Sequence, residues 1–208
     1  MRGNLFITFE GGDGSGKSTQ INKVKKFLES KGMNVLLTRE PGGTAIGEKI
    51  RDIILDRSNT EMHAMTEAML YAASRTQHVQ QIIKPALAEG MTVICDRFVD
   101  SSIAYQGYGR GLGEAVKVIN SYAIDNCMPD ITFLLKLDPQ VGKGRIIPGQ
   151  EDRLELERLD FHQRVYLGYE ELEKTYSDRI VGIDASGSIE DIFDKIKNYL
   201  ERLIDDNR

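Results

Sequence analysis

Five short apolar runs punctuate the chain, and helical periodicity follows each of them. They are Leu5-Phe6-Ile7-Thr8-Phe9, Val35-Leu36-Leu37-Thr38, Thr92-Val93-Ile94-Cys95, Ile131-Thr132-Phe133-Leu134-Leu135 and Ile180-Val181-Gly182-Ile183. Nearly continuous, β-branched-rich runs of this length suit strands buried on both faces. Their alternation with helical patterns predicts an α/β fold, a five-stranded parallel sheet with helices on both faces. In the first helix Ile21, Val24, Phe27 and Leu28 form one stripe while Lys23, Lys25 and Lys26 face water. The last helix opens on Ser188 and Asp191, spaced like a capping box, and carries the stripe Ile189, Ile192, Phe193, Ile196, Leu200 and Leu203. Residues 61–88 read as helix, kinked before Pro85. The least regular stretch is 145–152, with Pro148-Gly149 inside it, and 107–113 reads as a second loop. No internal repeat, low-complexity tract or linker interrupts the pattern, so 1–208 reads as a single domain.

Composition narrows the picture. Hydrophobic residues are 40% and charged residues 28% of 208, ordinary for a globular domain. The net charge of −5 supplies no overall positive field for nucleic acid or anionic lipid, so neither is an expected partner. Two cysteines, Cys95 and Cys127, form no disulfide framework, and a reducing cytoplasm fits. Cys95 sits in an apolar run and reads as a small buried hydrophobe. The N-terminus has no apolar stretch of signal-peptide length, and no segment approaches a membrane span.

Gly11-Gly12-Asp13-Gly14-Ser15-Gly16-Lys17-Ser18 matches G-x-x-x-x-G-K-[ST] in full, between a predicted buried strand and an amphipathic helix. Glycines let the backbone wrap a polyphosphate, and successive N–H groups at the helix start present positive ends to it. Lys17 suits the β- and γ-phosphates of ATP, and Ser18 Oγ suits Mg²⁺. A P-loop serves switches, motors and kinases alike. A GTPase switch would carry N-K-x-D; Asn22-Lys23 is followed by Val24-Lys25 and lacks the Asp. A non-catalytic nucleotide-binding module remains open on this motif alone.

Further chemistry gathers after the other strands. Ligands of open parallel sheets sit beyond the strands' carboxyl ends. Asp96-Arg97 follows the third run there, with Asp96 suited to the Mg²⁺ shell through water and Arg97 to a phosphate. Arg39-Glu40-Pro41-Gly42-Gly43 ends the second run as a turn, and Arg51 lies on the next helix. Tyr71 and Arg75 share a helix face, a ring and a guanidinium that suit a nucleobase. Core packing for Tyr71 and a solvated Arg75 would give the same spacing.

Read in order, these segments resemble one family. Phe9-Glu10-Gly11 leads into the P-loop. Thr38 to Gly43 follows, then Thr66-Glu67-Ala68-Met69-Leu70-Tyr71-Ala72-Ala73-Ser74-Arg75, then Asp96-Arg97-Phe98-Val99-Asp100-Ser101-Ser102-Ile103-Ala104-Tyr105-Gln106-Gly107. The series resembles bacterial thymidylate kinase (dTMP kinase), within the nucleoside monophosphate kinase-like P-loop NTPases, over nearly the whole chain. The block from Asp96 to Gly107 is the most specific part.

The resemblance implies transfer of the ATP γ-phosphoryl to dTMP with Mg²⁺, in a homodimer. It puts residues 11–18 and Thr19 around the donor, and Asp13 near the acceptor's sugar and phosphate or the metal shell. Arg39, Arg51 and Arg97 would gather at the acceptor phosphate, with Glu40 and Ser101 also in the acceptor's surroundings. Tyr71 stands where the family usually has Phe stacked on thymine. Arg75, Ser102 and Gln106 would read the base edges, and Tyr105 would crowd the 2′ position. One branch of the family carries a catalytic arginine in the P-loop; Gly12 to Ser15 contain no base. The resemblance therefore implies a lid over about 143–155, with Arg153 as its main arginine and Arg145 in support. The short Pro148-Gly149 insert has no counterpart in the family's lid.

Overall fold

The computed structural model describes residues 4–145, 149 and 151–206. Its five strands form one parallel sheet in the order β2-β3-β1-β4-β5. They are β1 (Phe6–Glu10), β2 (Val35–Arg39), β3 (Thr92–Asp96), β4 (Ile131–Lys136) and β5 (Ile180–Asp184). In the register, Ile7 of β1 stands between Ile94 of β3 and Ile131 of β4. Each strand runs one residue past the apolar run that predicts it. The added residues are Glu10, Arg39, Asp96, Lys136 and Asp184, so a charged group closes every strand at its carboxyl end. Ladder pairing such as Arg39 with Asp96 and Lys136 with Asp184 carries these polar positions into the sheet.

The sheet buries both faces, as its continuous apolar strands require. On one face Ile7 and Phe9 pack with Ile21, Val24 and Leu28 of α1 (Lys17–Ser30) and Ile192, Ile196 and Leu200 of α9 (Ile189–Asp206). Phe27 and Phe193 are half-buried and meet edge to face at 6.4 Å. Ile189, expected in the same stripe, is exposed; it opens α9, and its carbonyl accepts from Gln20 Nε2 at 2.9 Å. Ser188 Oγ accepts from the Asp191 N–H at 3.1 Å, the cap its spacing predicts. On the other face Phe6, Val93, Phe98 and Cys95 pack with Phe161, Val165 and Leu172 of α8 (Leu159–Thr175). Cys95 and Cys127 are buried and free.

Two segments depart from the expected pattern. The helix predicted over 61–88 begins at Ala64, where His63 Nδ1 accepts from the Met65 N–H at 3.2 Å. It runs as α3 (Ala64–His78), a π-helical turn at Val79–Ile83 and α4 (Lys84–Ala88). Pro85 has no N–H and its ring crowds the carbonyl four residues back, so the widened turn lies where the kink is expected. The loop predicted over 107–113 is helical as far as Gly109: α5 (Val99–Ser102) continues as a π-helical segment, Ile103–Gly109. That segment packs on α8, and a Cβ on Gly109 would collide with Phe161, so close packing holds helical a stretch whose glycines read as a loop. The remaining helices are α2 (Ala45–Leu55), α6 (Glu114–Ile124) and α7 (Pro139–Lys143). Of the irregular stretch 145–152, residues 146–148 and 150 lie outside the described residues. No helix among the described residues is long and apolar enough to cross a membrane.

Phe133 lies at the centre of the sheet, with no exposed surface and its ring 5.5 Å from that of Phe9. Phe133→Ala is expected to cost about 3–5 kcal/mol of folding stability, read as a lowered urea midpoint at unchanged slope.

Candidate active site

The P-loop leaves β1 at Glu10 and enters α1 at Lys17. Gly16, the N-cap of α1, has φ 89°, a left-handed conformation that glycine adopts freely. A Cβ on Gly14 would run into the Gly142 backbone, so that crossing also requires glycine. Lys17 folds back across the loop and donates from Nζ to the Gly11 and Gly12 carbonyls at 3.1 and 3.0 Å. Burial and the nearby Arg97 charge bring its ammonium down to about 8. Ser18 and Thr19 are exposed at the helix start.

Arg97 follows β3 with φ 67°, uncommon for a residue with a side chain. Such backbone costs ~1–3 kcal/mol and persists where its surroundings hold it. Here the holding group is Glu10. Its buried carboxylate accepts from the Phe98 N–H at 2.7 Å, the Ser101 N–H at 3.2 Å, Ser101 Oγ at 2.5 Å and Tyr169 Oη at 2.8 Å. Burial, then the Asp100 charge, raises the Glu10 carboxyl to about 7. The turn aims the Arg97 guanidinium back at the P-loop, 2.5 Å from Asp13 Oδ1, while Tyr105 Oη donates to Asp13 Oδ2 at 3.2 Å. Burial pushes the Asp13 carboxyl up, but the Arg97 and Lys17 charges outweigh it and leave it below its ordinary value.

Two clefts meet at this pair. The first runs along Asp13 to Thr19 and takes in Arg39, Glu40, Arg51, Asp96, Arg97, Arg145 and Glu155. Asp96 Oδ1 is buried there without a partner among the described residues. An orphaned carboxylate oxygen beside an exposed serine hydroxyl at a P-loop fits the outer and inner shell of a hard divalent cation such as Mg²⁺. The second cleft is lined by Pro41, Leu55, Tyr71, Tyr105, Gln106, Ser101 and Asp152 among others. Its mixture of rings and polar groups suits a small organic ligand. Asp13, Glu40, Arg51, Arg97 and Glu155 line both clefts.

Most of the residues singled out in the sequence therefore converge. Arg39 and Arg51 approach together, both donating to the Pro41 carbonyl, at 2.8 and 3.0 Å. Three residues stand elsewhere. Arg75 lies behind the aromatic cleft, fully buried, with its donors committed to Glu40 at 2.7 Å, Ser102 at 3.0 Å, the Phe98 carbonyl at 2.9 Å and Asn120. Ser102 is buried with it. Arg153, expected as the main lid arginine, is turned away from the phosphate cleft; Nε donates to the Ile54 carbonyl at 2.8 Å and the guanidinium pairs with Glu67 at 2.6 Å. Arg145 instead reaches the P-loop, donating to the Gly14 carbonyl at 3.1 Å.

Other groups had weaker signals or none. Glu10 stands inside a motif quoted above and Glu155 ends the expected lid, both without a role. Tyr169 and Arg110 come from distant segments with no local pattern. Arg110 pairs with Glu67 at 2.9 Å and with Glu157 at 2.5 Å, joining α3 to the segment before α8.

Known proteins agree with this geometry. The thymidylate kinase family model matches residues 9–196. A thymidylate kinase of Lactobacillus helveticus is 53% identical over 207 residues, 97% of each chain. One of Clostridium novyi is 47% identical over 205 residues, 97% of this chain and all of that one. The crystal structure of thymidylate kinase from Ehrlichia chaffeensis superposes with a TM-score of 0.79 at 33% identity, covering 95% of this chain and 98% of that one. By sequence along nearly its whole length, and by fold, the chain belongs to the thymidylate kinase family.

Proposed function

We propose that the protein phosphorylates dTMP to dTDP with ATP as donor. The observation that carries this reading is the shared wall: a P-loop cleft and an aromatic, polar cleft open onto each other across Asp13, Arg51 and Arg97. A nucleotide-binding module needs the first cleft alone; a kinase for a second nucleotide needs both. The names of the relatives select thymidylate as the acceptor.

Phosphoryl transfer depends on alignment and charge neutralisation. The α1 N-terminus and Lys17 would hold the donor phosphates. Ser18 and, through water, Asp96 would hold Mg²⁺, which would supply charge neutralisation at the donor phosphates. Arg97, with Arg51 and Arg39, would hold the acceptor phosphate against the donor's repulsion. That phosphate is largely ionised near pH 7, so it needs no strong general base. Tyr71 would stack on the base and Gln106 would bond its edge, while Tyr105 lies where a sugar would follow. Arg145, already against Gly14, is the lid arginine best situated to reach the transferred group. Arg153, bound by Glu67, would anchor the lid's end.

The reading extends to a cytoplasmic homodimer. Free, buried cysteines suit a reducing compartment. Ile46 and Ile53 on α2, Met69 on α3, and Val118 and Tyr122 on α6 are exposed apolar residues on helices that pack in sequence, α2 on α3 and α3 on α6. An apolar face of this kind supports an interface between copies.

ADP release should require dTMP and fall by at least tenfold with dCMP, AMP, GMP or thymidine in its place. Lys17→Ala and Arg97→Ala should each lose more than a hundredfold in kcat with an unchanged circular dichroism spectrum. Equal turnover of all acceptors, or full activity in either variant, would contradict the assignment. Because the free Lys17 ammonium loses its proton near pH 8, ATP affinity should weaken as pH rises through about 8. Titration calorimetry checks this; Lys17→Met should bind weakly with no such step. Light scattering should give twice the chain mass, and Tyr122→Glu should shift the protein toward monomer.

A further inference from the structure

Gln106 lines the aromatic cleft, yet its side chain is almost fully buried. Its Nε2 donates to Glu67 Oε1 at 3.0 Å, and its Oε1 has no partner among the described residues. A primary amide has one acceptor end and one donor end, and contacts alone decide which end points where. Glu67 makes that decision. It is wholly buried on α3, and Arg110 and Arg153 both pair with it, at 2.9 and 2.6 Å. Those hydrogen bonds, working against burial, hold its carboxyl below the ordinary value. An ionised carboxylate only accepts. A flipped Gln106 would set its oxygen against that carboxylate, so the nitrogen must face inward. The oxygen is then left as the buried acceptor of a residue that walls the cleft, where a ligand is the available donor.

We infer that Glu67 is a positioning residue for base selection: it fixes the Gln106 amide with its oxygen free, so that the cleft favours a pyrimidine with a ring imide N–H over one with a bare ring nitrogen. This rests on the reading of the cleft as the thymidylate site and adds to it the group that sets the polarity of recognition. Thymine and uracil carry the required N–H between two carbonyls. Cytosine presents a lone pair at the same ring position, acceptor against acceptor, and a site built to pair a donor rejects analogues that lack it. Neither Glu67 nor the two arginines need touch the base. The arginines keep Glu67 charged, and Glu67 acts through Gln106.

The test compares kcat/KM for dTMP, dCMP and N3-methyl-dTMP in wild type and in Glu67→Gln. A glutamine at 67 offers either amide end, which frees Gln106 to turn. The dTMP/dCMP selectivity should then fall at least tenfold, mostly through KM for dTMP, with melting temperature followed to establish folding. Arg110→Lys keeps a cation beside Glu67 and leaves its acceptor facing Gln106, and it should keep the selectivity. In a Gln106→Leu background, adding Glu67→Gln should change selectivity no further. If Glu67→Gln fails to fold because Arg110 loses its charge partner, the Glu67→Gln/Arg110→Met double variant takes its place in the comparison. Undiminished selectivity in a folded Glu67→Gln protein, or an equal loss in Arg110→Lys, overturns the inference while leaving the thymidylate reading standing. A wild type that accepts dCMP or N3-methyl-dTMP as readily as dTMP removes the thymidylate reading itself.

Discussion

The buried carboxyl of Glu10 ties the end of β1 to the turn after β3. It takes two backbone N–H groups and a serine hydroxyl from residues 98–101 and a tyrosine hydroxyl from α8. That grip holds the left-handed backbone of Arg97, and the turn aims its guanidinium at Asp13 of the P-loop. A parallel sheet sets these parts side by side, because β1 and β3 are hydrogen-bonded neighbours although their paired positions are 87 residues apart along the chain and the intervening strand sits at the edge. Donor and acceptor clefts meet at the carboxyl edge of the sheet for the same reason.

Charge in the site is arranged in opposed pairs. Lys17 and Arg97 repel each other and are both drawn to Asp13, so the protein's own carboxylate occupies the ground between two cations. A phosphate entering that ground adds the negative charge that Lys17 and Arg97 are short of. Arg39 and Arg51 converge on one carbonyl, with Arg39 also paired to Glu48 at 2.8 Å, and burial and the Arg39 charge bring the Arg51 guanidinium down from its ordinary value. By contrast, Glu67 and Glu157 pair with Arg110 and Arg153 in a closed group of two carboxylates and two guanidinium groups, set beside Gln106 and the segment before α8.

The strands, the order of the helices and the P-loop were legible along the chain, because each rests on local chemistry: apolar runs, helical stripes and glycine spacing. The residues expected around the acceptor were named through a family resemblance; spacing alone left Tyr71 and Arg75 undecided. The π-helical turns at Val79–Ile83 and Ile103–Gly109 were legible only in part, since a proline marks the first and packing against α8 alone keeps the second.

Local pattern determined what each segment is: five strands ending in charged residues, a phosphate-binding loop, and an acid-arginine pair after β3. Only the tertiary structure decided which charges are free to meet a ligand and which are already paired. It turned Arg153 to Glu67 and brought Arg145 to Gly14, and it buried Arg75 behind the cleft while leaving one Gln106 oxygen without a partner among the described residues. A side chain's partners come from segments tens of residues away, and burial sets the strength of each charge. Neither quantity is carried by the spacing of residues along the chain.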